Sequence, residues 1–65
     1  MITESLDARL ARVLPGTTVR ERRDAPPHRR WLVERPAKDG AIILADGGSK
    51  REAIDRACFL WGAQR

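Results

Sequence analysis

Gly47-Gly48-Ser49-Lys50-Arg51-Glu52 is the stretch of this chain whose residue types and spacing carry the clearest chemistry. Ser49 and Glu52 are spaced as a capping box. The Ser49 hydroxyl can accept from the N–H of residue 52, and the Glu52 carboxylate can reach back to the N–H of residue 49. The two glycines ahead of them allow a sharp entry of the chain. A helix that starts there offers free N–H groups and the positive end of its dipole, which suits a phosphate. Lys50 and Arg51 add two full charges at that point. Arg29 and Arg30 beside His28, and Arg9 and Arg12 nearer the N-terminus, are further basic positions. The plainer reading is a well-capped amphipathic helix with solvated first-turn cations.

Other chemistries are poorly supplied. There is one His, one Cys and no Tyr. The glycine pair lacks the spacing of a nucleotide-binding loop, and no paired carboxylates suggest a cleft. The reading is non-enzymatic, with no cofactor and no metal. A single cysteine permits neither an internal disulfide nor a cysteine-based zinc site. Cys58 falls in the apolar stripe of the last helix and reads as a small buried hydrophobe. His28, without a Cys or a second His, is not a metal ligand.

The elements that must position these residues are few. Sixty-five residues form one small domain over 1–65, a size at which only ~60% of the unfolded chain's surface is buried. Thr3 reads as an N-cap, with Glu4 and Asp7 where negative charge complements a helix dipole. Ile2, Leu6, Leu10 and Val13 or Leu14 form a helical stripe that Pro15-Gly16 ends. Thr17 to Asp24 reads as an edge strand and Ala25 to His28 as a loop. Arg29 to Arg35 is a second strand, with Trp31 and Val33 on one face and Arg30, Leu32 and Glu34 on the other. Pro36 to Gly40 is a turn, and Ala41 to Asp46 a third strand. The last helix runs from about Ser49 to Trp61 and frays at Gly62, with Ile54, Ala57, Cys58 and Trp61 as its buried stripe. The expected fold is α+β in the order α-β-β-β-α, a three-stranded antiparallel meander with two helices on one face.

Net charge is +4 and the sequence pI about 10.6. The excess is uneven: residues 15–35 hold six Arg against three acids, and 49–65 four Lys or Arg against two. Eleven of the thirteen cations are Arg, which suits bidentate phosphate or carboxylate pairing. Such a balance points to a polyanionic partner. The longest apolar run, Ala41 to Ala45, is too short to span a bilayer, and no signal-peptide pattern opens the chain. The expectation is a cytoplasmic domain with no membrane association.

With these motifs in order, the chain resembles the double-stranded RNA-binding domain. That family shares the α-β-β-β-α order in about this length. Its first loop carries Gly-Pro-x-His, here Ala25-Pro26-Pro27-His28. Its second strand often runs Phe-x-Val-Glu, here Trp31-Leu32-Val33-Glu34. Its last helix opens with Gly-x-x-Ser-Lys-Lys-x-Ala-Lys or close variants, here Gly47-Gly48-Ser49-Lys50-Arg51-Glu52-Ala53-Ile54. The chain departs at Ala25 for Gly and at Ile54 for a third cation. It also has no large aromatic in the first strand and no clear copy of the polar residues that the first helix places in the minor groove.

The resemblance implies binding of double-stranded RNA, or another nucleic acid, by shape and charge rather than base identity. Lys50 and Arg51 would clamp phosphates, His28, Arg29 and Arg30 would meet one minor groove, and the first helix with Arg9 and Arg12 the next. A rival is an interaction protein of phage-accessory type, including inhibitors such as anti-CRISPR proteins, that binds an acidic or nucleoprotein surface of a host complex. Size, charge and isolation suggest it. Leu32, Glu34 and Phe59 are its candidate protein contacts, exposed if the helices cover the other face. A homodimer through that sheet face or Phe59 is a further option.

Overall fold

A computed structural model describes residues 4–62. Helix α1 spans Leu6–Val13 and strand β1 Thr18–Glu21; a 3-10 turn over Pro27–Arg29 leads to β2, Trp31–Ala37. Strand β3 spans Gly40–Gly47 and helix α2 Lys50–Gly62. The sheet order is β1-β2-β3, with both neighbouring pairs antiparallel. The two helices pack against this sheet, in the arrangement that the likeness to the double-stranded RNA-binding domain implies.

The ends of the elements follow local chemistry. Ser5 caps α1, its side chain accepting from the Ala8 N–H at 3.1 Å. The expected cap Thr3, and Ile2 of the expected stripe, lie outside the described residues. At the far end Leu14 N–H donates to Leu10 O at 2.8 Å, and Gly16 takes φ +84°, a turn conformation glycine allows freely. β1 is shorter than the expected Thr17 to Asp24. Past Glu21 the chain turns, with Ala25 N–H donating to Arg22 O at 3.2 Å. Arg29 belongs to the 3-10 turn and not to β2.

β2 in turn runs on through Pro36, where a turn is expected from the proline. Pairing with β1 stops at Glu34, opposite Thr18, so the later part of β2 is a free edge on that side and tolerates a missing N–H. The turn shrinks to Lys38-Asp39, between the pair Ala37 and Gly40, with Gly40 at φ +135°.

Leu10, Val33, Leu44, Ala45, Ala53, Ile54 and Ala57 form the core between sheet and helices. Leu6, Leu14, Val19, Trp31 and Cys58 pack around it, half-buried. A bulge makes the β3 contribution. Val33 pairs with Ala45 but Glu34 with Ile43, so Leu44 is an extra residue and two consecutive side chains are buried there. The Trp61 indole N–H donates to the Leu44 carbonyl at 2.8 Å and ties the end of α2 to this bulge.

Leu32 corrects the sequence reading. Expected on an open face and available for contact, it is fully buried, though it is no member of the helix-side core. Its cross-strand neighbours are Arg20 and Asp46, and Glu34 is the next residue of β2 on that face. Arg20 pairs with Glu34 at 3.1 Å and Arg29 with Asp46 at 3.0 Å. Arginine stems can cover apolar area while their charged ends stay paired, and the burial of Leu32 among these residues fits such a cover. Glu34 is only half-buried, but its carboxylate is engaged in the pair with Arg20. Phe59 is 78% exposed, on the outer side of α2.

Leu32→Ala is expected to destabilise the domain by about 2–5 kcal/mol, as for a truncated core leucine. Phe59→Ser should stay within about 0.5 kcal/mol of the parent. Urea denaturation of both variants tests the assignment, and equal midpoints would show that Leu32 is not sealed.

Candidate nucleic-acid interface

The start of α2 is built as its sequence suggests. Glu52 N–H donates to Ser49 Oγ at 3.1 Å, and Ala53 N–H to Ser49 O at 3.0 Å. The reciprocal half of the box is displaced by one residue: Gly48 N–H, not that of Ser49, approaches Glu52 Oε1, at 3.4 Å. The glycines act through close approach and not through a left-handed backbone, since neither has positive φ. A Cβ on Gly47 would stand 2.9 Å from Ala53 N, inside contact distance. One on Gly48 would meet Pro27 O at 3.4 Å and His28 Cα at 3.6 Å. The Pro-Pro-His loop is therefore seated on the entry to α2.

This packing gathers several of the expected contacts. His28, on the 3-10 turn, and Arg51, in the first turn of α2, are exposed at the same end of the molecule. Lys50 is half-buried, with Nζ 2.9 Å from Asp7 Oδ2, which also fixes the first turn of α1 beside that of α2. Other expected contacts are engaged with acids. Arg29 holds Asp46, and Arg9 holds Asp55 on α2. Arg12 grips Glu4 with two parallel bonds of 2.9 Å, from Nε and Nη2. The hydrogen bond from Arg12 holds the Glu4 carboxyl below its ordinary value. Arg30, which closes the 3-10 turn ahead of β2 with a helical backbone, is half-buried and has no acid partner among the described residues.

One contributor escaped the sequence reading: Gly48, whose role as the seat of the loop depends on a tertiary contact. Among the described residues no three His, Cys, Asp or Glu side chains stand close enough to hold a metal ion. No helix of the described residues is long and apolar enough to cross a membrane. Comparison with known proteins found no matching family model, no matching curated protein and no matching solved structure.

Gly47→Ala should destabilise the domain by about 1–3 kcal/mol, because the new methyl meets backbone at the start of α2. Gly48→Ala brings only ordinary contacts and should be close to neutral. Thermal melts of the two variants distinguish a requirement for space at Gly47 from a general requirement for flexibility.

Proposed function

We propose that this domain is a non-enzymatic nucleic-acid-binding module that prefers duplex RNA and recognises it by shape and charge. The observation that carries this reading is the seating of the Pro27-His28 loop on Gly48, which sets His28 beside the cationic start of α2. A-form RNA presents a deep major groove edged by phosphates, between shallow minor grooves. In the proposed complex the N-terminus of α2, with Lys50 and Arg51, faces phosphates across the major groove. His28, Arg29 and Arg30 approach one minor groove, and α1, with Arg9 and Arg12, the other. The ion pairs of Lys50, Arg9, Arg12 and Arg29 do not bar this role. Exposed pairs are worth little, so a phosphate competes with a surface carboxylate on even terms.

A second reading, a protein-binding surface of the inhibitor type, is favoured by one feature. Phe59 is 78% exposed, followed by Leu60 at 46% and Trp61 at 41%. It borders an open groove on α2 lined by Ser49, Arg51, Glu52, Asp55 and Arg56. An acidic or nucleoprotein surface on a host complex, or a second copy of the chain, would suit this mixture of charge and apolar area.

Gel-shift titration against duplex RNA, duplex DNA and single strands over a salt series tests the first reading. Duplex RNA should bind tightest, with log K falling linearly in log salt. Lys50→Ala with Arg51→Ala should make that slope shallower by about 2, at ~0.9 per lost phosphate contact, without unfolding the domain. Absence of binding at low salt overturns the reading. Nuclease-treated pull-down, retained by the parent and lost in Phe59→Ser, would then support the second.

The α1 contact has its own readout. Drawing Arg12 onto a phosphate removes the hydrogen bond that holds Glu4 low. The Glu4 pKa, followed by NMR, should therefore rise toward its ordinary value when RNA binds. A constant value would mean that Arg12 takes no part. Arg12→Ala gives the reference value in the free protein.

A further inference from the structure

We propose that two copies of this chain associate through the first half of β3. Ala41 to Ile43 pairs antiparallel with the same segment of a second copy across a two-fold axis, so that two three-stranded sheets become one of six strands.

The open edges of the sheet are not equally protected. β1 is four residues long and carries Arg20 and Glu21. The later half of β2, uncovered on that side, carries Arg35 and Pro36, and a proline cannot donate to a new neighbour. β3 is the outer strand on the other side, eight residues long, with no Lys, Arg or Pro. Its second half is guarded by α2. Arg56 Nη1 donates to the Asp46 carbonyl at 2.8 Å, and the Trp61 indole N–H takes the carbonyl of Leu44. The first half has no such guard among the described residues. There Gly40 to Ile43 are exposed, Ile42 at 42% and Ile43 at 52%.

The register shows which main-chain groups are free. The Asp46 carbonyl, bonded to α2, points away from β2, so Asp46 and Leu32 oppose each other without ladder bonds. Pairs of that kind alternate along β2, which makes Glu34 and Pro36 the next two, and a proline is at home there. Their partners beyond the bulge, Ile43 and Ala41, therefore turn N–H and C=O outward as well. No other described residue bonds to these groups.

The spacing suits a second copy. With the axis at Ile42, Ala41 of each copy faces Ile43 of the other, and the two pairs exchange four N–H···O=C bonds. Ile42 stands opposite its own counterpart in a non-hydrogen-bonded pair, with Cα atoms about 4.5 Å apart. Such a contact is isologous and closes on two copies. Charge agrees. A chain of net charge +4 repels its copy over most of its surface, but Gly40 to Ala45 holds no charged residue. Asp46 is already paired with Arg29 and Arg56, and the turn that approaches it holds one Lys38 and one Asp39. The seam thus gathers no excess of either sign. It lies at the opposite end of β3 from Gly47, so it leaves the candidate interface open and does not depend on the nucleic-acid reading.

Sedimentation equilibrium of the intact, nucleic-acid-free chain, from low micromolar to millimolar concentration, tests the pairing. The mass should rise from 7.3 kDa toward twice that value. Ile42→Lys, at an exposed position, should raise the dimer dissociation constant at least about tenfold, because like charges then face each other across the axis. Phe59→Ser should leave it unchanged. Hydrogen exchange of the unaltered chain gives an independent readout. The amides of Ala41 and Ile43 should exchange more slowly as concentration rises, while that of Val19, on the opposite edge strand, keeps a constant rate. A monomer at every concentration, or exchange at Ala41 and Ile43 that ignores concentration, overturns the proposal. So does a dimer that Phe59→Ser dissolves and Ile42→Lys does not, since its contact would lie on α2. Protection of the two amides only by an added, unlike extended peptide would mean that the edge takes a different strand, and self-pairing is then wrong.

Discussion

The close approach of α2 to the sheet is the contact on which the remaining geometry depends. Ala53, Ile54 and Ala57 are fully buried on that face of the helix, and two of the three are alanine. Small residues let the helix backbone lie near the strands, and the nearness is greatest where β3 hands over to α2. There Gly47 leaves no room for a Cβ. With α2 held so low, Gly48 becomes the floor on which the Pro27-His28 loop rests, and Asp7 of α1 comes within reach of Lys50. The candidate interface thus follows from a packing distance set by two methyl groups. Its candidate side chains lie on three separate elements, and that distance brings them to one end.

Charge does two different jobs on this surface. On the open face it replaces a second layer of structure. A three-stranded sheet with helices on one side would leave Leu32 in water, yet Leu32 is fully buried, and its cross-strand neighbours Arg20 and Asp46 are engaged in ion pairs with Glu34 and Arg29. Arginine suits this because its stem covers apolar area while its planar head stays hydrated and paired. The domain thereby gains buried apolar surface without lengthening its chain, which matters at a size where the core is only marginally sufficient. Elsewhere charge is left over. Once the pairs are formed, Arg22, Arg30 and Arg51 have no acid partner among the described residues, nor do the exposed Arg35 and Lys38 near the β2–β3 turn.

Local chemistry was legible and tertiary compensation was not. The capping residues of α2, the inner part of its apolar stripe and the stop at Pro15-Gly16 depend on neighbours within one or two helical turns. These appear in the structure, as does the α-β-β-β-α order; of the expected stripe Ile54 and Ala57 are buried, Cys58 is half-buried, and Trp61 is 41% exposed at the end of the helix, where the core no longer covers it. Boundaries set by a distant partner were displaced. Pro36 reads as the end of a strand, but it lies where β2 has no neighbour on one side, a fact about the length of β1. Leu44 and Ala45 both turn inward only because a bulge sits opposite Val33 and Glu34. Leu32 alternates onto the open face as its sequence position requires. Alternation gives the side and says nothing about what arginine stems do there. Arg22 to Asp24 are the same kind of case: they read as strand, and the chain turns there.

Ile54 bears on how such a domain could hold a polyanion. The likeness to the RNA-binding family places a third cation at this position, but Ile54 is fully buried in the core between α2 and the sheet. A charge there would have to leave water with no partner, at a cost well beyond that of a surface substitution. The helix face that could carry a three-cation clamp has been committed to packing, so α2 alone presents two. Holding the fold together through Ile54 and adding a third cation are thus competing demands on one helix.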